Sequence, residues 1–182
     1  MKIEETHIKG LYIIEPRIFT DDRGYFFESF NQEEFEQHVG PIRFVQDNES
    51  KSSFGVVRGL HFQEPPYTQA KLLRVVQGRV LDVAVDLRKN SPTYGQHFSI
   101  ELSADNKKQV FLPKGFAHGF SVLSEKAIFQ YKCDEFYHPE SENGIAWNDP
   151  SLQIDWQIPM KYIILSEKDQ KYKSLSETPF CL

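Results

Sequence analysis

An all-β chain, folded as an antiparallel β-sandwich or jelly-roll barrel with a few short helices, is the fold class this sequence predicts. Short runs alternate apolar and polar residues with period two, Gly and Pro punctuate them, and helix signals are few. Aromatics are abundant, with 15 Phe, 8 Tyr and 2 Trp, which suits the interior of stacked sheets. Many short strands with little helix indicate packed antiparallel sheets, and a jelly roll commonly encloses a small ligand.

The elements follow in order. Tyr12 to Ile14 is a candidate strand, and Tyr25 to Ser29 another. Asn31 is placed to cap a short helix through His38, because its side chain accepts from the free N–H groups of a first turn. Phe44 to Asn48 and Val56 to Leu60 are further strands. Val75-Val76 and Val80-Leu81 flank Gln77-Gly78-Arg79, where Gly permits the positive φ of a tight hairpin. Leu81, Val83, Val85 and Leu87 then alternate with Asp82, Ala84 and Asp86, the pattern of a half-buried strand. Phe98, Ile100 and Leu102 alternate likewise with His97, Ser99 and Glu101. Ala104-Asp105-Asn106 reads as a turn before the strand Val110-Phe111-Leu112. Phe120 to Leu123 and Ala127 to Cys133 complete the strands, and Ser166 is placed to cap a second short helix. No repeat, low-complexity run or linker divides the chain, so residues 1–182 read as one domain.

Bulk properties exclude several function classes. A net charge of −5 argues against a generic nucleic-acid binder, which carries a basic surface. Nothing approaches the ~18 apolar residues of a membrane span. The first twenty residues contain acids and no long apolar stretch, so no signal peptide is read. Cys133 and Cys181 read as reduced cytosolic thiols. The expectation is a cytoplasmic protein without nucleic-acid or membrane partners.

Chemistry concentrates in three stretches. Arg58-Gly59-Leu60-His61-Phe62-Gln63, with Gln69-Ala70-Lys71 close behind, joins two cations to a histidine that gains and loses a proton near neutral pH. That mixture suits a site that binds an anion and moves a proton. His118 lies in the Gly115-Phe116-Ala117-His118-Gly119-Phe120 loop, and Tyr131 follows in Phe129-Gln130-Tyr131-Lys132-Cys133. His7, His38, His97 and His138 read as surface residues.

These motifs, with Asp21-Asp22-Arg23-Gly24 before them and Leu165-Ser166-Glu167-Lys168-Asp169 after, closely resemble the dTDP-4-dehydrorhamnose 3,5-epimerases, cupin-type jelly rolls. The resemblance runs from Asp21 to Asp169, with its motifs in the family's order. It implies that His61 is the general base, Asp169 the acid that orients it, Tyr131 the general acid and Lys71 the cation beside the sugar's keto oxygen. It implies contacts to the nucleotide sugar from Arg23, Glu28, Gln46, Asp47, Asn48, Arg58, His118, Glu142 and Lys168, with Phe26 and Tyr137 flanking the nucleotide. The implied partners are a dTDP-linked 4-keto-6-deoxyhexose and a second copy of the chain in a homodimer.

The chemistry explains these residue types. A proton beside a ketone is weakly acidic, so its removal needs a base and a donor to the developing enolate oxygen. Inversion then requires reprotonation from the opposite face, by a second group. The ketone is itself the electron sink, so no cofactor or metal is expected. Metal-binding cupins carry a His-x-His pair, whereas Gln63 stands where the second histidine would be. Blander roles exist for each residue: Tyr131 alternates with Ala127, Phe129 and Cys133 as a core residue would, and Ser166-x-x-Asp169 fits a capping box. A C3-only epimerase, a ketoisomerase of a related pathway, a non-catalytic nucleotide-sugar-binding cupin and a metal-dependent oxygenase are the competing readings.

Overall fold

The structure, a computed structural model, describes residues 1–178, so Cys181 lies outside the described residues. The strands are β1 (Lys2–Glu5), β2 (Tyr12–Glu15), β3 (Phe19–Asp21), β4 (Gly24–Phe26), β5 (Gln46–Ser53), β6 (Val57–Gln63) and β7 (Lys71–Gln77). They continue with β8 (Arg79–Asp86), β9 (His97–Ser103), β10 (Gln109–Leu112), β11 (Phe116–Val122), β12 (Lys126–Cys133) and β13 (Glu142–Gly144). Two antiparallel sheets form a jelly-roll sandwich, one in the order β1-β2-β10-β7-β12-β5 and the other β13-β6-β11-β8-β9. Among the described residues, β3 and β4 pair only with each other.

The predicted helix is present as α1 (Gln32–His38), with the Glu34 amide donating to Asn31 Oδ1 at 3.2 Å. Glu33 and Glu34 in its first turn and His38 in its last complement the helix dipole. Its buried Phe35 packs on Phe111 and Phe44, covering the outer face of the six-stranded sheet.

Several sequence expectations are corrected. Residues 77–79 do not close a hairpin. Gly78 has the expected positive φ, 72°, but β7 and β8 enter different sheets, so the glycine turns a corner between layers. A Cβ there would lie 2.0 Å from the Lys126 carbonyl oxygen, so only glycine fits the corner. β8 is not half-buried: Val80 through Asp86 are buried on both faces. Val80 and Ala84 face the other sheet, while Leu81, Val83 and Val85 pack beneath Ile145, Leu152 and Trp156 of the C-terminal segment. Period two reveals a strand, but covering the second face depends on residues sixty or so positions later. The Gly115–Phe120 stretch is strand β11 rather than a loop. β4 ends at Phe26, three residues earlier than expected, and β5 starts at Gln46 and runs on to Ser53. Ser166 caps no helix: its hydroxyl accepts from the Asp169 amide at 3.0 Å in a chain of turns. His97 and His138 are partly buried, not surface residues, and His138 stacks on Tyr67 at 3.6 Å between ring centroids.

The layer between the sheets has two characters. At one end Leu73, Val75, Leu102, Val110, Phe120 and Phe129 form an apolar core, with Phe120 and Phe129 stacked at 4.5 Å. At the other end the inward positions turn polar, and a cleft opens there.

Candidate active site

The cleft encloses about 660 Å³ and is lined by Arg58, His61, Lys71, His118, Tyr131, Glu142, Lys168 and Asp169 among others. Eight of the residues singled out from sequence therefore meet in one place, brought together from both sheets and the C-terminal segment. Arg58 and His61 come from β6, His118 from β11 and Glu142 from β13 in one sheet; Lys71 comes from β7 and Tyr131 from β12 in the other. Lys168 and Asp169 are carried over the opening on the turns after Ser166.

β6 and β11 approach closely enough to place their histidines side by side. A Cβ at Gly59 would lie 2.5 Å from Gly119 Cα, and one at Gly119 would lie 2.6 Å from the Arg58 carbonyl oxygen. The two glycines let the backbones touch, and the register slips between His118 and Phe120. His118 then stands directly across from His61.

Each histidine has an aspartate. His61 Nε2 lies 2.5 Å from Asp169 Oδ1, and His118 Nε2 lies 2.7 Å from Asp82 Oδ2. Burial alone would raise the Asp169 carboxyl, but its contact with His61 and the Ser166 hydrogen bond outweigh this and hold it below the usual value. Asp169 is thus an anion fixed beside an imidazole. Its carboxylate goes to His61 rather than back to the Ser166 amide, so the capping role is confined to its own backbone.

The opposite wall carries Lys71 and Tyr131. Burial pulls the Lys71 ammonium below the ordinary lysine value. Its Nζ stands 5.9 Å from the Tyr131 ring centre. Burial also pushes the Tyr131 phenol up, so it is protonated at neutral pH and able to donate. Arg58 Nε donates to Ser52 Oγ at 3.1 Å, leaving most of the guanidinium to the cleft. At the rim, Lys168 Nζ and the Tyr137 hydroxyl each lie 2.5 Å from a Glu142 carboxylate oxygen. Burial would raise Glu142, yet these two bonds keep it below the usual value.

The remaining sequence-predicted residues divide. Gln46 and Asn48 share a face of β5 with Ser50, which lines the cleft, but neither lines the cleft itself. Gln46 Nε2 donates to Asn48 Oδ1 at 3.0 Å, while the Tyr137 amide donates to Gln46 Oε1 at 3.0 Å. Asp47 alternates to the outer face, pairs with Lys132 at 2.9 Å and, like Asn48, lines a separate cavity beside Arg74. Arg23 and Phe26 on the β3–β4 hairpin, and Glu28 after it, are exposed and outside this chain's cleft. Gln63 is buried and fully engaged. It donates to the Tyr67 and Phe136 carbonyls and accepts from the His138 amide, so it ties loops together.

Sequence reasoning missed Asp82. Its signal was present: an acid at an inward position of an otherwise apolar strand needs a buried partner.

A profile described as dTDP-4-dehydrorhamnose 3,5-epimerase matches residues 5–177. A curated protein of that name from Methanothermobacter thermautotrophicus is 53% identical over 98% of this chain and 96% of its own length. The crystal structure of a dTDP-4-dehydrorhamnose 3,5-epimerase from Elizabethkingia anophelis superimposes with a TM-score of 0.94, at 55% identity over 97% of both chains. A Legionella pneumophila dTDP-6-deoxy-D-glucose-3,5-epimerase in complex with dTDP-4-keto-L-rhamnose has a TM-score of 0.92 at 52% identity, over 96% of this chain and 93% of that one.

Proposed function

The chain belongs to the dTDP-4-dehydrorhamnose 3,5-epimerase family, and from that premise we propose how its cleft inverts C3 and C5 of dTDP-4-dehydro-6-deoxy-D-glucose. The observation that carries the mechanism is that His61 on one sheet, held by Asp169 of the C-terminal strap, and Tyr131 on the other sheet line the same cavity. A base and an acid on opposite walls are what inversion requires, since the proton leaves one face of the ring and returns to the other.

Asp169 occupies His61 Nε2, which leaves Nδ1 to take the proton. C3 and C5 both flank the C4 ketone, so one enolate oxygen serves both abstractions. Lys71 donates to that oxygen. A preorganised donor of this kind is worth roughly 2.7–4 kcal/mol in the transition state. Tyr131 then delivers a proton from the far wall. Arg58 and Lys168 present donors to the nucleotide diphosphate, and His118 lines the cleft beside them. The ketone holds the electron pair in transit, so the reaction calls for neither metal nor redox cofactor, and activity is expected to survive exhaustive chelation. The buried Cys133 thiol suits a reducing cytoplasm.

A homodimer completes this reading. The β3–β4 hairpin carries Phe19, Tyr25 and Phe26 at 50, 60 and 66% exposure, a large apolar surface for a two-stranded projection. Arg23, Phe26 and Glu28 on and beside it extend into the cleft of a second copy. Mixing Arg23→Ala with His61→Ala protein tests this: random subunit exchange is expected to restore about a quarter of wild-type activity, because half the dimers are mixed and each has one intact site. Confirmed exchange without rescue would place both residues in one chain's site.

Turnover in deuterated water, followed by NMR, tests the reaction itself. Deuterium is expected at C3 and C5 of a product with the L-rhamnose configuration. Labelling at C3 alone would identify a single epimerisation, and no labelling would remove the proton-transfer mechanism.

A further inference from the structure

The proton-transfer scheme leaves Tyr172 unused. Its ring meets the His61 ring edge to face, with centroids 5.7 Å apart and planes at 63°. It is not among the residues that line the cleft. What makes room for it is Gly144. In the pairing of β13 with β6, Gly144 stands directly opposite His61. A Cβ at Gly144 would lie 2.6 to 2.8 Å from three carbons of the Tyr172 ring, well inside carbon contact. The space a side chain would fill beside His61 is filled by the tyrosine instead.

The same segment carries Asp169. It is tied at one end by the Asp169 amide on Ser166 Oγ, 3.0 Å, and at the other by the Ala146 amide on the Lys173 carbonyl, 2.8 Å. His61 is therefore held at two points from one strap: a carboxylate at Nε2 and an aromatic ring on its flank. Burial and the nearby Glu142 and Asp169 carboxylates keep the Tyr172 phenol protonated far into the alkaline range, so it adds no charge there.

We propose that Tyr172, seated in the space left by Gly144, is a positioning residue that fixes the orientation of the His61 imidazole for proton abstraction. The aromatic ring does this, not the hydroxyl: an edge-to-face contact restricts rotation of the imidazole and keeps water from the Asp169 carboxylate. The inference rests on His61 being the base.

Steady-state kinetics on four variants test it. Tyr172→Ala is expected to lose roughly 10- to 100-fold in kcat with KM within about twofold, because a misoriented base slows chemistry without removing substrate contacts. Tyr172→Phe keeps the ring and is expected to retain roughly half or more of wild-type kcat. Gly144→Ala displaces the ring and is expected to slow turnover by a similar factor; its glycine has no positive φ that alanine could not adopt. The Gly144→Ala/Tyr172→Ala double variant is expected to be no slower than the worse single, since both changes remove one contact. Should Tyr172→Ala fail to fold, Tyr172→Leu supplies apolar bulk without an aromatic edge and carries the same expectation. Wild-type kcat in Tyr172→Ala or Tyr172→Leu, a Phe variant as slow as the Ala one, a loss confined to KM, or single losses that multiply would each overturn the proposal. Failure of the base assignment shows separately, as deuterium exchange surviving in His61→Ala.

Discussion

His61 and His118 stand opposite each other on paired strands, and each places Nε2 on an aspartate, yet the two pairs are built differently. Asp82 lies on β8, the strand next to β11, so the His118 pair is set by sheet register alone. His118 is stacked on Phe129, with ring centres 5.8 Å apart, and its side chain is 10% exposed. Asp169 lies 108 residues from His61 on a strap, and the His61 side chain is 29% exposed toward the cleft. A histidine–aspartate pair does not make a base by itself. The ring also needs a free nitrogen facing open space, and the pair assembled between sheet and strap has that. The pair locked into the sheet is suited to hold one orientation.

The largest test of this contrast is His61→Ala. A loss of roughly 10²–10⁴ in kcat is expected, with no deuterium entering C3 or C5. The same pattern in His118→Ala, with exchange intact in His61→Ala, would reverse the roles. Next is Tyr131→Phe, since the proposed scheme has Tyr131 act after the carbanion forms. Exchange should persist while correctly inverted product, resolved by NMR, falls roughly 10²-fold. Full epimerisation in this variant would return Tyr131 to the core.

The two aspartates sharpen the contrast at lower cost. Asp82→Asn is expected to lower stability in denaturant unfolding by roughly 1–3 kcal/mol, because the buried charge-assisted bond to His118 becomes a neutral one. Asp169→Asn should instead lower kcat roughly tenfold or more with a smaller stability change, since its strap is turn structure at the surface. Equal stability losses would mean that the strap is as much part of the core as β8.

The smallest effect concerns a third aspartate, one that has no histidine. Asp86 is fully buried and accepts from Arg88, Ser91 and Thr93, with the Arg88 contact at 2.8 Å. Burial would raise its carboxyl, but these bonds lower it to about 2. A depressed folded-state value stabilises above the unfolded value near 4, and that stabilisation, about 2 kcal/mol, is lost as pH falls from about 4 to about 2. Asp86→Asn should therefore be less stable than wild type at pH 7, with the difference shrinking through that window in thermal unfolding. A constant difference would show that packing rather than charge is at stake.

The helix with its Asn31 cap and most strands were legible because each is encoded within a few neighbours, whereas Glu142, Lys168 and Asp169 of the cleft were reached only through the family resemblance. Tyr172 carried no such signal, since its role depends on Gly144 meeting His61 across two strands. Asp47 was misleading for a related reason: it sits between Gln46 and Asn48, but strand alternation turns it to the other face. Gly78 shows the same limit, for a positive φ specifies a sharp turn without specifying which strand the chain joins next.

The sequence by itself determined the sandwich and the concentration of histidine, tyrosine and cations in a few short stretches. These follow from periodicity and residue chemistry, which are local. Only the tertiary structure decided which aspartate serves which histidine, which wall each proton-transfer group occupies, and which face of β5 meets the cleft. Those are relations between segments up to 108 residues apart, set by register and by the packing of the C-terminal strap on the five-stranded sheet.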